Sequence, residues 1–397
     1  MKRQEVNVTS KEHKKHTDLI RPAIGNYARN EWAIVGEPCV VIKSLADLVI
    51  GGLSSKYKCA YADTSHNDEM TLAPGRLANN ALLEYTDQIN YQQFNYNTTF
   101  TPFRLRQQFF EADLVLINGN HQQAKSQVVI IYNTKAVSLQ KRLAQLTNVE
   151  LILLAETASD VFDFIKESIP NLQNIPMCRL DESDKIIAFF ENKLLQSKPL
   201  LNGLVLAGGK SMRMGFDKGA VSWFGKEQRY HVADMLRPLC KDVFISCRAD
   251  QKQQIDPAYA VLEDTFTGLG PYGALLSAFR EEPDRAWLVV ACDMPLLETE
   301  TFKFLIEKRK VSAIATAYNS PENEFPEPLI TIWEPKSYPV LLSFLSQGYS
   351  CPRKVLINSD VHLLQAPNTD ALTNVNTPDD LEKAKRTIHQ KIANADV

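Results

Sequence analysis

Leu204-Val205-Leu206-Ala207-Gly208-Gly209-Lys210-Ser211-Met212-Arg213-Met214-Gly215-Phe216-Asp217-Lys218 decides how the second half of this chain is read. Leu204 to Ala207 is a short apolar strand followed at once by two glycines, which puts them at the strand's carboxyl end, where α/β proteins hold ligands. Gly208 and Gly209 carry no side chain to keep a phosphate or a base away from the main-chain N–H groups. Arg213 offers a planar fork and Lys218 a point charge to a triphosphate. Two glycines alone would as readily make a tight strand-to-helix turn, but the arginine and lysine in the same loop favour a ligand. The loop fits neither GxxxxGK[ST] nor GxGxxG, so it is not a Walker loop or a dinucleotide fingerprint.

Beyond this loop, strands and helices alternate. Val243 to Cys247, Val261 to Leu262, Trp287 to Cys292, Val311 to Thr316 and Leu329 to Trp333 read as strands, with helical spacing at Tyr230 to Leu239, Gly273 to Phe279 and Glu300 to Lys308. The run Trp287 to Cys292 delivers Asp293 at its carboxyl end. Magnesium is usually held by one or two carboxylates plus phosphate oxygens, so Asp293 suits a metal, or else opens a turn ahead of Pro295. Glu263-Asp264 ends another strand on acid, and Gly268 to Gly273 is a glycine-rich turn opening a helix. In Asn374-Val375-Asn376-Thr377-Pro378, Thr377 is placed as N-cap and Pro378 at the first helical position. Asn374 and Asn376 either face a ligand or satisfy the turn.

Toward the N-terminus, Glu31 to Gly36 and Lys58 to Ala62 read as strands, and the spacing from Lys43 to Leu53 is helical. Asp68 to Thr101, rich in Asn, Gln, Tyr and Thr, reads as an irregular insertion with one helix around Leu77 to Glu84. Ala112 to Ile117, Gln127 to Tyr132 and Glu150 to Leu154 are apolar runs separated by helical patterns such as Val137 to Leu146, which implies a parallel sheet covered on both faces. Ser159 to Ser168, with Ser159 as N-cap, and Asp184 to Leu195 read as amphipathic helices. Ser197-Lys198-Pro199 is the expected boundary, giving a basic leader over 1–20, one α/β domain over 21–196 and a second over 200–390.

The chain's 397 residues carry 44 Lys and Arg against 47 Asp and Glu, a net charge of −3 that gives no electrostatic footprint of a nucleic-acid binder. Seven scattered cysteines without a CxxC pair point to reduced thiols rather than a disulfide framework or structural zinc. The first sixteen residues are charged and lack a signal peptide's apolar core, and no apolar run reaches the roughly 20 residues that span a bilayer. A cytoplasmic protein without nucleic-acid or membrane partners is the expectation.

LAGGKSMRMGFDK at Leu206 to Lys218, Glu263-Asp264, GPYGA at Gly270 to Ala274, CDMP at Cys292 to Pro295 and NVNTPDD at Asn374 to Asp380 resemble, in order, the molybdenum cofactor guanylyltransferases, over about Leu201 to Lys385. The resemblance implies a GT-A-like, Rossmann-related nucleotidyltransferase that moves GMP from GTP to molybdopterin carrying molybdenum and releases pyrophosphate. It implies that Leu206, Ala207, Gly208 and Gly209 contact the guanosine, with Gly270 among the nucleotide contacts and Asp264 near the nucleoside. Arg213 and Lys218 would bind phosphates and, with Asp293 on Mg²⁺, serve catalysis. Asn374 and Asn376 would lie near the metal or the pterin phosphate. Gly208 bears on the base, since the related cytidylyltransferases resemble LAAG here. Two departures stand out: Ile245 to Asp250 where the family is often rich in asparagine, and GPYGA where GPLAG or GPLGG is usual. CTP or a sugar phosphate as substrate, or a non-catalytic cofactor-binding scaffold, are the alternatives. Molybdoenzymes or their chaperones are implied as further partners.

The first half, about Arg21 to Asn192, resembles the molybdopterin-guanine dinucleotide biosynthesis adaptor proteins. In EWAIVGEPCVVIKSLADLV, Lys43-Ser44 follow a strand as in a Walker loop, but Glu37 and Ile42 stand where its glycines belong, and Asn118 stands where an acid is usual. This is a degenerate P-loop-like sheet, expected to act as a non-hydrolysing scaffold. Lys14, Lys15, Arg21 and Arg29 either attract an anionic cofactor or form a solvated charged leader.

Overall fold

The computed structural model describes residues 25–64, 75–207, 218–223, 225–321, 323–375 and 377–395, without the side chains of 218, 378, 389 and 391–395. The leader over 1–20, Gly208, Gly209, Arg213 and Asn376 lie outside the described residues, as does the Lys218 side chain.

The first half runs β1 (Glu31–Val35), α1 (Cys39–Leu53), β2 (Cys59–Ala62), β3 (Leu83–Asp87), β4 (Gln92–Tyr96), α2 (Pro102–Phe109), β5 (Leu114–Asn118), β6 (Ser126–Ile131), α3 (Ala136–Gln140), β7 (Val149–Leu154), α4 (Asp163–Ser168), β8 (Met177–Arg179) and α5 (Ser183–Gln196). Its six-stranded sheet has the order β2-β5-β1-β6-β7-β8. The β1–β5, β1–β6, β6–β7 and β7–β8 pairings are parallel. Strands β1, β5 and β6 are buried along their whole length, which is why they read as continuous apolar runs.

Three local readings change. α1 starts at Cys39 rather than Lys43, because the carbonyl of Pro38 accepts from Val41 N at 3.0 Å and Ile42 N at 3.2 Å and turns the β-branched run into a first helical turn. Leu77 to Glu84 is not a helix. A 3-10 turn over Gly75–Asn79 leads into the antiparallel hairpin β3–β4, whose Tyr, Thr and Phe residues favour strand. α4 begins at Asp163 instead of after Ser159, because Asp160 accepts from Val161 N at 2.7 Å and holds a turn there.

The second half runs β9 (Leu201–Leu206), α6 (Gln228–Leu236), β10 (Val243–Cys247), β11 (Ala260–Glu263), α7 (Pro271–Glu281), β12 (Ala286–Ala291), α8 (Thr299–Glu307), β13 (Ala315–Asn319), β14 (Pro326–Trp333), α9 (Ser337–Ser346), α10 (Pro352–Ile357), β15 (Val361–Leu364) and α11 (Pro378–Ala395). Its sheet has the order β11-β10-β9-β12-β14-β13-β15. β14 is antiparallel to both neighbours, since no helix intervenes between β13 and β14 to carry the chain back to a parallel start. Alternate residues of each central strand enter opposite cores. Val205, Leu288 and Val290 pack on one face; Leu204, Trp287 and Val289 pack on the other, against Leu275, Leu276 and Phe279 of α7.

The chain divides into two compact units, Met1–Lys43 with Tyr61–Pro102 and Val115–Leu180, and Ser44–Ala60 with Phe103–Leu114 and Asp181–Val397. Within the second, Arg309 and Glu334 form a buried pair at 2.6 Å, and Arg309 also donates to Pro199 O at 3.0 Å. Lys336 meets Asp113 at 2.6 Å in the same unit. Among the described residues no helix is long and apolar enough to cross a membrane.

Candidate active site

From β9 the chain steps to β10 and β11 on one side and then crosses to β12 on the other, so the strand order reverses between β9 and β12. Such a reversal opens a crevice at the strands' carboxyl ends. Leu206 is paired with Ala291 across it, so Ala207 and Asp293 leave the sheet at the same edge. Ala207 is buried and its N–H donates to Ser246 O at 3.1 Å, which ties the start of the glycine loop to β10.

Asp293 is drawn to a distant part of the sequence. Its carbonyl accepts from Val375 N at 2.7 Å, which sets Asn374, half-buried, beside the Asp293 turn. Behind that turn Thr377 and Asp380 cap α11 reciprocally: Asp380 Oδ2 accepts from Thr377 N at 2.9 Å, and Thr377 Oγ1 accepts from Asp380 N at 3.2 Å.

Asp264 follows β11 and donates its N–H to Cys247 O at 2.9 Å. Ser246 Oγ donates to Asp264 Oδ1 at 2.6 Å. Burial pushes the Asp264 carboxyl above its ordinary range, against the opposing pull of the Ser246 hydrogen bond and the Arg248 charge. Gly270 is the N-cap of α7 with φ 56°, a conformation that favours glycine, and Pro271 follows at the first helical position. Gly273 is required for another reason: a Cβ there would sit 2.1 Å from Phe266 O. Ala274, by contrast, fits where it is, buried.

Sequence reasoning missed Gln228. It is buried on the first turn of α6, and its Nε2 donates at 3.3 Å to Met294 O, the carbonyl next to Asp293. Its Oε1 has no partner among the described residues. A polar residue in a helical pattern gives no sign of which face it will bury. Ser246 was noticed only as a departure from an asparagine-rich pattern, although its side chain holds Asp264.

The corresponding edge of the first sheet is built differently. Only Gly36, Glu37 and Pro38 separate β1 from α1, and Lys43 lies a turn inside the helix. Gly36 has φ 113°, and a Cβ on it would lie 2.2 Å from Ile130 O. Glu37 is buried, and burial raises its carboxyl pKa against the lowering charge of Lys135. Asn120 Nδ2 donates to Glu37 O at 2.8 Å, and Cys39 Sγ lies 3.1 Å from His121 Nε2. Lys43 is paired with Asp63 at 3.5 Å. Burial raises the Asp63 pKa, but the net shift is downward. It comes from the hydrogen bonds of Thr64 N–H and Tyr61, the Lys43 charge, and the Asn118 amide, which faces Asp63 at less than full hydrogen-bond geometry.

Residues 203–362 match the MobA-like NTP transferase domain. The chain is 32% identical over 192 residues to a molybdenum cofactor guanylyltransferase of Pseudomonas putida, covering 45% of this chain and 94% of that protein. The chain belongs to the MobA-like NTP transferase family. A molybdenum cofactor biosynthesis bifunctional protein of Synechocystis is 31% identical over 222 residues, covering 54% of this chain and 63% of its own length, so the chain spans less than two thirds of that relative. The crystal structure of molybdopterin-guanine dinucleotide biosynthesis protein A from Archaeoglobus fulgidus aligns at 24% identity with a TM-score of 0.42, over 48% of this chain and 99% of that one. As a family member the chain is a nucleotidyltransferase, with β10, β11, β12 and all of β9 but its first two residues inside the matched span.

Proposed function

We propose that this chain transfers GMP from GTP to molybdopterin carrying molybdenum, forming the guanine dinucleotide and releasing pyrophosphate. Family membership and the relatives' names support the reaction. The observation that carries it is the 2.7 Å hydrogen bond from Val375 N to the main-chain carbonyl of Asp293, which ties the turn bearing Asp293 at the β9–β12 crevice to the turn bearing Asn374 far along the chain.

Asp293 offers a hard carboxylate oxygen at a strand's carboxyl end, the donor chemistry Mg²⁺ takes when phosphate oxygens complete its shell. Bound there, the ion would supply positive charge against the departing pyrophosphate. Leu206, Ala207, Gly208, Gly209 and Gly270 hold the guanosine, with Asp264 near the nucleoside. Arg213 and Lys218 neutralise phosphate oxygens, and Asn374 and Asn376 orient the acceptor. An oxygen of the acceptor's phosphate bonds to the α-phosphorus as the bond to the β-phosphate oxygen breaks. The acceptor is itself the nucleophile, so alignment and charge stabilisation do the catalysis.

The domain over 21–196 acts as a non-hydrolysing scaffold in this reading. A three-residue β1–α1 connection with a buried Glu37 has too few backbone N–H groups to wrap a phosphate. Molybdoenzymes or their chaperones would receive the product in the cytoplasm.

Purified chain, molybdopterin and a panel of GTP, CTP and sugar phosphates with Mg²⁺ test the reading. Pyrophosphate release with GTP alone is expected. Turnover with CTP moves the chain to a cytidylyltransferase role, and tight pterin binding without any turnover makes it a cofactor carrier.

A further inference from the structure

Gln228 occupies a position that helical spacing gives to the core. It opens α6, with Val232 and Leu236 at i+4 and i+8, so the three share the stripe by which the helix packs on the sheet. Val232 and Leu236 are 0% exposed and Gln228 is 1%. Its side-chain amide is satisfied at one end. Nε2 donates to Met294 O at 3.3 Å, and because that partner is a carbonyl, only the nitrogen of the amide can face it. Oε1 is left without a partner among the described residues. A buried acceptor in that state costs stability, and an apolar side chain of the same length would carry no such cost. Packing alone does not account for an amide at this place.

What the residue joins does account for it. Its main-chain N–H donates to Val221 O at 2.8 Å, and Ser222 and Glu227 bridge antiparallel beside that bond, directly after the 3-10 turn Lys218–Ala220. Gln228 is thereby fastened to the end of the glycine loop. Its side chain meanwhile holds the carbonyl that follows Asp293 O, and Asp293 O is itself held by Val375 N at 2.7 Å. Two consecutive carbonyls of one turn are thus gripped from opposite directions in the sequence. Leu297 N also reaches Met294 O, at 3.5 Å, and closes the turn on itself.

We infer that Gln228 is a positioning residue for the Asp293 carboxylate: it fastens the turn that carries Asp293 to the segment that follows Lys218, so that the two keep a fixed spacing. The inference rests on the roles proposed above for Asp293 and Lys218. Only the ψ of Asp293 and the φ and ψ of Met294 lie between the gripped carbonyl and the Asp293 Cα, so a turn held at Met294 O leaves the carboxylate little room to drift. A displacement on the order of 1 Å at a reacting centre can cost a hundredfold in rate. Against that, one unsatisfied acceptor is a small loss. Partners standing behind a metal-holding group act in the same way, by fixing its orientation.

Gln228→Met keeps the length of the side chain and removes the donor and the unsatisfied acceptor together, so it separates positioning from packing. The variant is expected to melt no lower than the wild type. Its kcat is expected to fall about tenfold with whichever nucleoside triphosphate the wild-type chain turns over, while KM for that nucleotide changes by less than about threefold. Mn²⁺, titrated with a non-hydrolysable analogue of that nucleotide and followed by its EPR signal, is expected to bind the variant about tenfold more weakly. Made in an Asp293→Asn chain, the same substitution is expected to cost less than about twofold, because the group it positions is already gone.

A tenfold loss repeated in the Asp293→Asn background, or a Gln228→Met chain that turns over and binds Mn²⁺ like the wild type, overturns the inference and leaves the metal reading of Asp293 standing. So does a variant that melts far below the wild type and loses turnover only in proportion to its folded fraction, which would make Gln228 a packing residue. Asp293→Asn turning over like the wild type overturns the metal reading and the inference with it. Turnover with CTP in place of GTP changes the base and leaves the test of Gln228 as it is.

Discussion

Two parallel sheet edges can be compared in this molecule, one after β1 and one after β9. Both lie at the carboxyl end of a buried central strand, where α/β folds bind phosphates. After β1 the connection is three residues long, and its polar atoms are engaged from within: Asn120 holds the Glu37 carbonyl, and Asp63 takes Lys43. After β9 the strand order reverses, and the carboxyl edge collects Ala207, Asp293, Asp264 and the Val375 turn from four separate stretches. A phosphate site needs main-chain N–H groups left over for the ligand. The first edge has used its polar groups on itself, whereas the second gathers carboxylates and a distant turn around the end of β9.

The sharpest way to break this contrast is to remove one carboxylate from each edge. On the proposed role of its carboxylate as a metal ligand, Asp293→Ala is expected to lower kcat/KM for pyrophosphate release on the order of 10³-fold, while Asp63→Ala stays within about twofold. Comparable losses in both variants would mean that the first edge takes part in the chemistry.

Gly36→Ala tests whether the first edge is a rigid structural turn. Its Cβ would meet Ile130 O at 2.2 Å in a backbone with φ 113°, and a loss of roughly 2–4 kcal/mol is expected in urea unfolding. A loss under about 0.5 kcal/mol, the scale of ordinary surface changes, would mean that the turn yields and that the edge is not locked.

Asp264 tests the second edge through pH. Its pKa is raised in the folded state, so between the unfolded value, near 3.8, and the folded one the native chain holds more protons than the unfolded chain, and stability falls as pH rises through that window. Asp264→Asn removes this penalty. At neutral pH it is expected to melt no lower than the wild type, with the difference shrinking below the ordinary carboxylate range, while turnover drops about tenfold. A melting point well below wild type at neutral pH would instead make Asp264 a structural anchor.

The smallest effect is expected at Thr377→Ala, which removes the cap of α11 and costs about 1 kcal/mol by chemical denaturation. Because that cap stands directly after the asparagine turn, KM for GTP is expected to rise modestly; an unchanged KM would separate helix stability from the site.

Much of the second edge was legible because it depends on short-range order. An apolar strand, two glycines and trailing cations raise the expectation of a ligand at the strand's end, and the structure places Asp293 and Asp264 just past the ends of their own strands. The hairpin β3–β4 was not legible, because Asn- and Gln-rich strands with weak alternation look like loop. The start of α1 was hidden too, since Cys39 to Ile42 is as good a strand pattern as a helical one until Pro38 fixes the turn.

By itself, then, the sequence determined the alternation of elements, the family and the residue types at each strand's carboxyl end, since those follow from local periodicity and motif order. Only the tertiary structure decided that β9 and β12 flank the reversal of strand order, that β14 runs antiparallel, that Val375 grips the Asp293 turn and that Gln228 is buried behind it. Each of these is a pairing between stretches far apart in the chain. Such pairings are set by which faces pack and which backbone groups remain to be satisfied, quantities that no local window of residues contains.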